Sequence, residues 1–86
     1  MGVNWQIVLT KQAQKDLKSL NKIGLRDKVL ILLKQLEKDP FQQPFEKLVG
    51  DLKGKYSRRI NIQHRLVYSV DKTAKIIKIL KAYEHY

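Results

Sequence analysis

The sequence predicts an α+β domain ordered β-α-α-β-β-β, with two N-terminal helices packed on an antiparallel four-stranded sheet. Three observations lead there. Apolar residues between positions 13 and 36 recur at helical spacing, and the runs after position 55 are rich in β-branched and aromatic residues. The connections between those later runs are short, which favours an antiparallel meander. Residues 1–86 are read as a single domain.

Val3–Leu9 (VNWQIVL) is apolar and β-branched enough for a first strand. Thr10 follows as a helix N-cap candidate. Ala13, Leu17 and Leu20 then fall at i, i+4 and i+7 with lysines between them, the pattern of a short amphipathic helix. Asn21 and Gly24 interrupt the chain. Leu25, Val29, Leu32, Leu33 and Leu36 mark a second helix, which must stop near Asp39 because Pro40 disfavours helical backbone before it. Phe41–Phe45 (FQQPF) reads as a loop. Lys55–Ile60, Arg65–Val70 and Lys75–Tyr83 read as strands, with turns at Asn61–His64 and Asp71–Ala74. Two helices can cover one face of such a sheet and leave the other partly open. Core candidates are Trp5, Leu9, Leu17, Val29, Leu33, Leu36, Ile60, Leu66, Tyr68, Val70, Ile77 and Ile79.

Composition narrows the function classes. Apolar residues are 43% of the chain, enough for one modest core. The longest apolar run, Val29–Leu33, is far shorter than the roughly 20 residues that span a bilayer. The stretch MGVNWQIVLT lacks a basic region followed by a long apolar one, so no secretory signal is expected. Gln6 breaks a myristoylation pattern. The absence of cysteine excludes disulfides and thiolate metal sites. Two histidines, His64 and His85, leave little scope for a metal centre, and no cofactor is expected. The expected address is the cytoplasm. Eighteen Lys+Arg against eight Asp+Glu give a formal charge of +10. Such a field draws polyanions. Nucleic acid is the first expected partner, an acidic protein the second, an anionic membrane surface the third.

The second half carries a motif. Residues 46–60 read EKLVGDLKGKYSRRI, residues 63–68 read QHRLVY, and the chain closes on Tyr83-Glu84-His85-Tyr86. This resembles the YoeB/Txe toxins of the RelE/ParE toxin–antitoxin superfamily. Their pattern is a proline-bearing loop, a glutamate, L-x-G-x-[WY]-S-R-R-I, a short turn, H-R-L-V-Y and a terminal His-Tyr. The resemblance covers Pro44–Tyr86; the N-terminal half agrees in strand–helix–helix order and length. It implies a RelE-like microbial RNase fold and a toxin that cleaves messenger RNA in the decoding site of the ribosome. It also implies neutralisation by an acidic, YefM-like antitoxin, and it leaves a homodimer open.

Cutting RNA without a metal needs a base for the 2′-hydroxyl, cations for the phosphorane-like state and an acid for the departing 5′-oxygen. The resemblance implies Glu46 as the base, Arg65 as the catalytic phosphate clamp, His85 as the acid and Arg59 in support. The residue types suit these roles. A guanidinium offers phosphate a planar fork, and imidazole donates protons near neutrality. The cations around Glu46 would tend to lower its pKa, which weakens it as a base. Tyr86 could stack on a base. Lys47, Lys53 and Lys55 are expected to hold RNA phosphates without reading sequence; a solvated basic face explains them equally well. His64 is expected to order its turn. Arg58 has the opposite strand parity to Arg59 and is assigned to structure or to antitoxin contact. Two other classes fit parts of the pattern: a ParE-like gyrase inhibitor, which needs no acid–base pair, and a non-enzymatic basic RNA-binding protein.

Overall fold

The structure, a computed structural model, describes residues 4–82. Strand β1, Gln6–Leu9, leads directly into helix α1, Lys11–Lys22. Thr10 makes the join. Its hydroxyl oxygen accepts the Ala13 N–H at 3.0 Å, satisfying one of the donors that a helix start leaves open. Its O–H donates to the Leu80 carbonyl at 3.0 Å, which ties the helix start to a strand late in the chain. Gly24, at φ 83°, supplies the left-handed backbone that turns the chain after α1. Helix α2 spans Arg26–Lys38 and stops where Asp39 goes extended ahead of Pro40.

Four more strands follow: β2 at Glu46–Lys47, β3 at Tyr56–Arg59, β4 at Arg65–Asp71 and β5 at Ile76–Lys81. They form one sheet in the order β1-β5-β4-β3-β2. The α+β class and the two helices packed on a sheet are as the sequence predicts. The strand count and one orientation differ. The sheet has five strands, and β1 pairs parallel to β5, with Gln6 opposite Ile76 and Leu9 opposite Ile79. A parallel pair needs a long crossover, and everything from α1 to β4 supplies it. The added strand is two residues of the segment after the FQQPF loop, too short to carry a periodicity.

The two turns of the meander are closed by side chains. Asn61 Oδ1 accepts the N–H groups of Gln63 at 2.9 Å and His64 at 2.7 Å. Asp71 Oδ1 accepts those of Thr73 and Ala74, both at 3.0 Å. These are Asx turns, in which a short side chain replaces a backbone acceptor. The buried His64 adds its carbonyl, which takes the Ile60 N–H at 2.8 Å.

The core lies between the helices and one sheet face. Ala13, Leu20, Val29, Leu36, Ile60, Leu66, Tyr68, Ile77, Ile79 and Ala82 are buried there. Trp5, Leu9, Leu17, Leu33 and Val70 pack against this cluster, so each core candidate of the sequence belongs to it. No helix among the described residues is long and apolar enough to cross a membrane.

Tyr68 is the largest fully buried side chain, and its hydroxyl donates to the Pro40 carbonyl at 2.8 Å. That bond fastens the chain beyond α2 to the middle of β4. Burial pushes its pKa up to about 12, partly opposed by the positive charge of Arg58. The unfolded chain therefore releases this proton first, near pH 10. Stability from the neutral phenol should be intact below pH 10 and fall as pH rises towards 12. The loss is roughly 2–3 kcal/mol at 1.36 kcal/mol per unit. Urea unfolding between pH 9 and 12 checks this: Tyr68→Phe should remove that component of the pH slope.

Candidate active site

The strand pairing assembles the site. Glu46 lies opposite Ser57, Ser57 opposite Val67, and Arg59 opposite Arg65. Side chains alternate along strands, so Glu46, Ser57, Arg59, Arg65 and Val67 share the face turned away from the helices. Lys47, Tyr56, Arg58, Leu66 and Tyr68 fall on the other face, where Leu66 and Tyr68 join the core. The structure thus gathers three residues singled out in the sequence, Glu46, Arg59 and Arg65, from three adjacent strands.

Arg65 forms an ion pair with the Glu46 carboxylate through Nη1. The same nitrogen makes a long 3.5 Å contact to Ser57 Oγ. The Arg65 side chain is 22% exposed and that of Glu46 is 62% exposed. The guanidinium therefore sits low in the sheet face, and the carboxylate stands at the rim where a ligand could displace it. Ser57 is fully buried between them. Sequence reading quoted Ser57 in the motif but gave it no part. Its position in the strand register is what brings it beside Arg65.

A cleft of about 280 Å³ opens beside this group, lined by Pro44, Phe45, Glu46, Ser57, Arg58 and Arg59. Its origin is local. Continuing the β2–β3 register would set Pro44 opposite Arg59, and proline has no N–H for the ladder. The pairing ends at Glu46, and the outer edge of Arg59 is left open. Phe45 brings one edge of an aromatic cluster to the cleft. Phe45 meets Tyr56 edge-on at 5.8 Å and Phe41 at 6.0 Å between ring centroids. Arg58 is 5% exposed, and its Nε and Nη1 have no hydrogen-bond partner among the described residues. Its parity relative to Arg59 is as the sequence predicts, and the side chain belongs to the interior.

Lys47, Lys53 and Lys55 do not join this group. They line a separate hollow of about 340 Å³ with Leu48, Val49, Gly50, Gly54 and Tyr56. Lys47 is next to Glu46 in sequence but points to the opposite face of β2. His85 and Tyr86 lie outside the described residues. Among the described residues no group of three or more His, Cys, Asp or Glu is placed to hold a metal ion.

Fold and site together define a class: small proteins built from two helices on a mixed sheet, with arginines and a glutamate on the open sheet face. A YoeB/ParE toxin from Agrobacterium tumefaciens superposes with a TM-score of 0.86 at 27% identity, over 94% of this chain and 99% of that one. The YoeB–YefM complex from Staphylococcus aureus matches at 0.79 and 37% identity, over 95% and 98%. A curated relative, Toxin YoeB of Synechocystis sp., is 41% identical over 71 residues, which are 79% of this chain and 73% of the relative. Residues 9–86 match the family described as "YoeB-like toxin of bacterial type II toxin-antitoxin system". The chain belongs to that family and is the toxin of a type II toxin–antitoxin system.

Proposed function

We propose that this toxin is a ribosome-associated endoribonuclease that cleaves messenger RNA and so stops translation. The observation that carries the reading is the Glu46–Arg65 ion pair on the open sheet face, with Arg59 in register beside Arg65. In the free protein Arg65 occupies the Glu46 carboxylate. A phosphate of the RNA backbone offers that guanidinium a better bidentate partner. As Arg65 turns to the phosphate, the carboxylate is released to act as a base.

Glu46 then takes the proton of the 2′-hydroxyl, and the 2′-oxygen attacks the adjacent phosphorus. Arg65 and Arg59 stabilise the negative charge that grows on the equatorial oxygens. The phosphorus–5′-oxygen bond breaks, and His85 gives its proton to the leaving oxygen. The products are a 2′,3′-cyclic phosphate and a 5′-hydroxyl, and the chemistry needs no metal. DNA, which lacks the 2′-hydroxyl, is not a substrate. Tyr86 stacks on a base next to the cleavage point. Lys47, Lys53 and Lys55, in their own hollow, hold phosphates away from the reacting bond. Their point charges suit grip without sequence preference.

The partner that silences the toxin is an acidic, YefM-like antitoxin. The solved S. aureus YoeB–YefM complex supports this, and the solved YoeB dimer of S. aureus supports a homodimeric form. A toxin that works on messenger RNA and the ribosome acts in the cytoplasm.

Primer extension on messenger RNA after brief expression without antitoxin tests the reading. Discrete new 5′ ends within translated codons are expected, together with arrested protein synthesis. Cells that keep translating intact messenger while accumulating folded toxin would overturn it. Arrested replication with intact messenger would point to a gyrase inhibitor.

A further inference from the structure

We propose that the cleft at the end of β2 is a phosphate subsite for RNA, in which Arg58 binds a backbone phosphate next to the one that is cut. The inference deepens the ribonuclease reading above and rests on it. Arg58 is 5% exposed, yet its Nε and Nη1 have no hydrogen-bond partner, and it joins no ion pair among the described residues. A buried charge is costly to a fold unless it is paired. Glu46 lines the same cleft, but its carboxylate goes to Arg65. The Arg58 guanidinium is therefore a buried cation whose counter-ion has to come from outside.

The strand edge explains how a side chain of the inner face comes to line this cleft. By parity Arg58 lies on the opposite face of β3 from Ser57 and Arg59. All three nevertheless border one cleft with Pro44, Phe45 and Glu46. The β2–β3 pairing includes Glu46–Ser57 and goes no further, so no strand closes the sheet beside Arg58 and Arg59. The same edge leaves a backbone donor. The Leu48 N–H bonds the Lys55 carbonyl at 3.0 Å. Along an antiparallel pair such bonds fall on every second residue, so Ser57 and Arg59 also turn their N–H groups to this side. Arg59 thus presents its N–H to the gap that Pro44 leaves.

The cleft offers two guanidinium groups and a backbone N–H, a donor set for an anion with several oxygens. Arginine matches phosphate geometry, and its hydrogen bonds to phosphate are charge-assisted. The anion is a phosphate of the RNA because the cleft is continuous with the site of the cut: Glu46 and Arg59 belong to both. RNA carries a phosphate on every nucleotide, so a strand with its scissile phosphate at Arg65 brings a neighbouring one along the same edge. Such a contact sets the register of the strand, and with it which bond meets Glu46, without reading sequence.

Single-turnover cleavage of ribosome-bound messenger RNA, with the whole toxin titrated, tests this. Arg58→Met keeps the length of the side chain and removes its charge. The toxin concentration giving half-maximal rate should rise about 10–10²-fold, the weight of a hydrogen bond to a charged group. The maximal rate should hold, because a contact to a non-reacting phosphate is equal before and during the reaction. Each phosphate flanking the scissile one is then replaced by a neutral methylphosphonate. At one position the parent should lose the same factor, and Arg58→Met should lose nothing further. Urea unfolding should show Arg58→Met at least as stable as the parent, because an unpaired buried charge is removed. If methionine does not pack there, Arg58→Gln carries the kinetic comparison. A folded Arg58 variant with the parental half-maximal concentration overturns the subsite alone, as do methylphosphonate losses that add to those of the variant at every position. Weaker binding of the antitoxin encoded with this toxin, with RNA kinetics unchanged, would assign the cleft to the antitoxin and overturn it too. If the parent leaves messenger intact, the ribonuclease reading falls and the subsite with it.

Discussion

Arg65→Ala should reduce messenger cleavage to background while leaving the fold intact. Two effects add. On the proposed mechanism the phosphorane-like state loses the cation that Arg65 supplies, and removing one preorganised donor of this kind costs about 10²–10³-fold. The exchange of partners by which the proposed mechanism frees the Glu46 carboxylate as phosphate binds is lost as well. Stability should change little. An ion pair whose carboxylate side is this exposed contributes about 0–1 kcal/mol, and Glu46 can turn to water. Arg65→Lys separates charge from shape. A lysine ammonium can still meet Glu46 in the free protein, but it cannot present the planar fork to two phosphate oxygens. Cleavage by the lysine variant should stay at least ten times below the parent. Full activity there would show that only the charge matters, and the exchange of Glu46 for phosphate would have to be abandoned.

Arg59 gives the control for that comparison. It faces Arg65 in the register, yet its side chain is exposed and no ion pair with Glu46 is formed. In the proposed mechanism its contribution comes from the field around the phosphate and not from exchanging Glu46 for phosphate. This is why the larger effect is assigned to Arg65.

Much of this arrangement was legible in the sequence, and the parts that were not have specific causes. The helices announced themselves because α1 and α2 each bury a stripe against one sheet face, which forces the 3.6-residue period on Ala13, Leu20, Val29 and Leu36. The meander was readable from its turn residues, Asn61 and Asp71, which do in the structure what short oxygen-bearing side chains do in turns. The parallel pairing of β1 was hidden. Alternation tells which face a residue occupies and nothing about the direction of its neighbour. β2 was hidden because two residues carry no period, and its existence depends on β3 being beside it. The same limit explains the lysines. Lys47 adjoins Glu46 in sequence, but β2 turns them to opposite faces, so a charge cluster in sequence becomes two separate surfaces in space. Glu46 and Arg65 were named one by one from a motif, and only the register shows that they touch. The Asp16–Ala82 bond joins residues 66 apart, and nothing local in either residue signals it.

His85→Gln should have the most diagnostic effect. Glutamine is close to imidazole in size and can hydrogen-bond, but it cannot give up a proton at neutral pH. Losing a general acid costs about 10²–10⁴-fold, so cleavage should nearly vanish while ribosome and antitoxin binding persist. A melting curve recorded beside the kinetics separates chemistry from folding. The leaving group provides the sharper check. With sulfur at the bridging 5′ position the bond breaks without protonation, so parent and variant should cut that substrate at similar rates. If the variant is as impaired on sulfur as on oxygen, His85 positions the RNA and transfers no proton. The acid must then be sought in Tyr86 or a lysine. His64 is a poor substitute, since it is 3% exposed and built into its turn through its own backbone. Should the variant cut oxygen-linked messenger at the parental rate, the acid–base scheme loses its second half, and Glu46 with Arg65 would have to account for the whole rate.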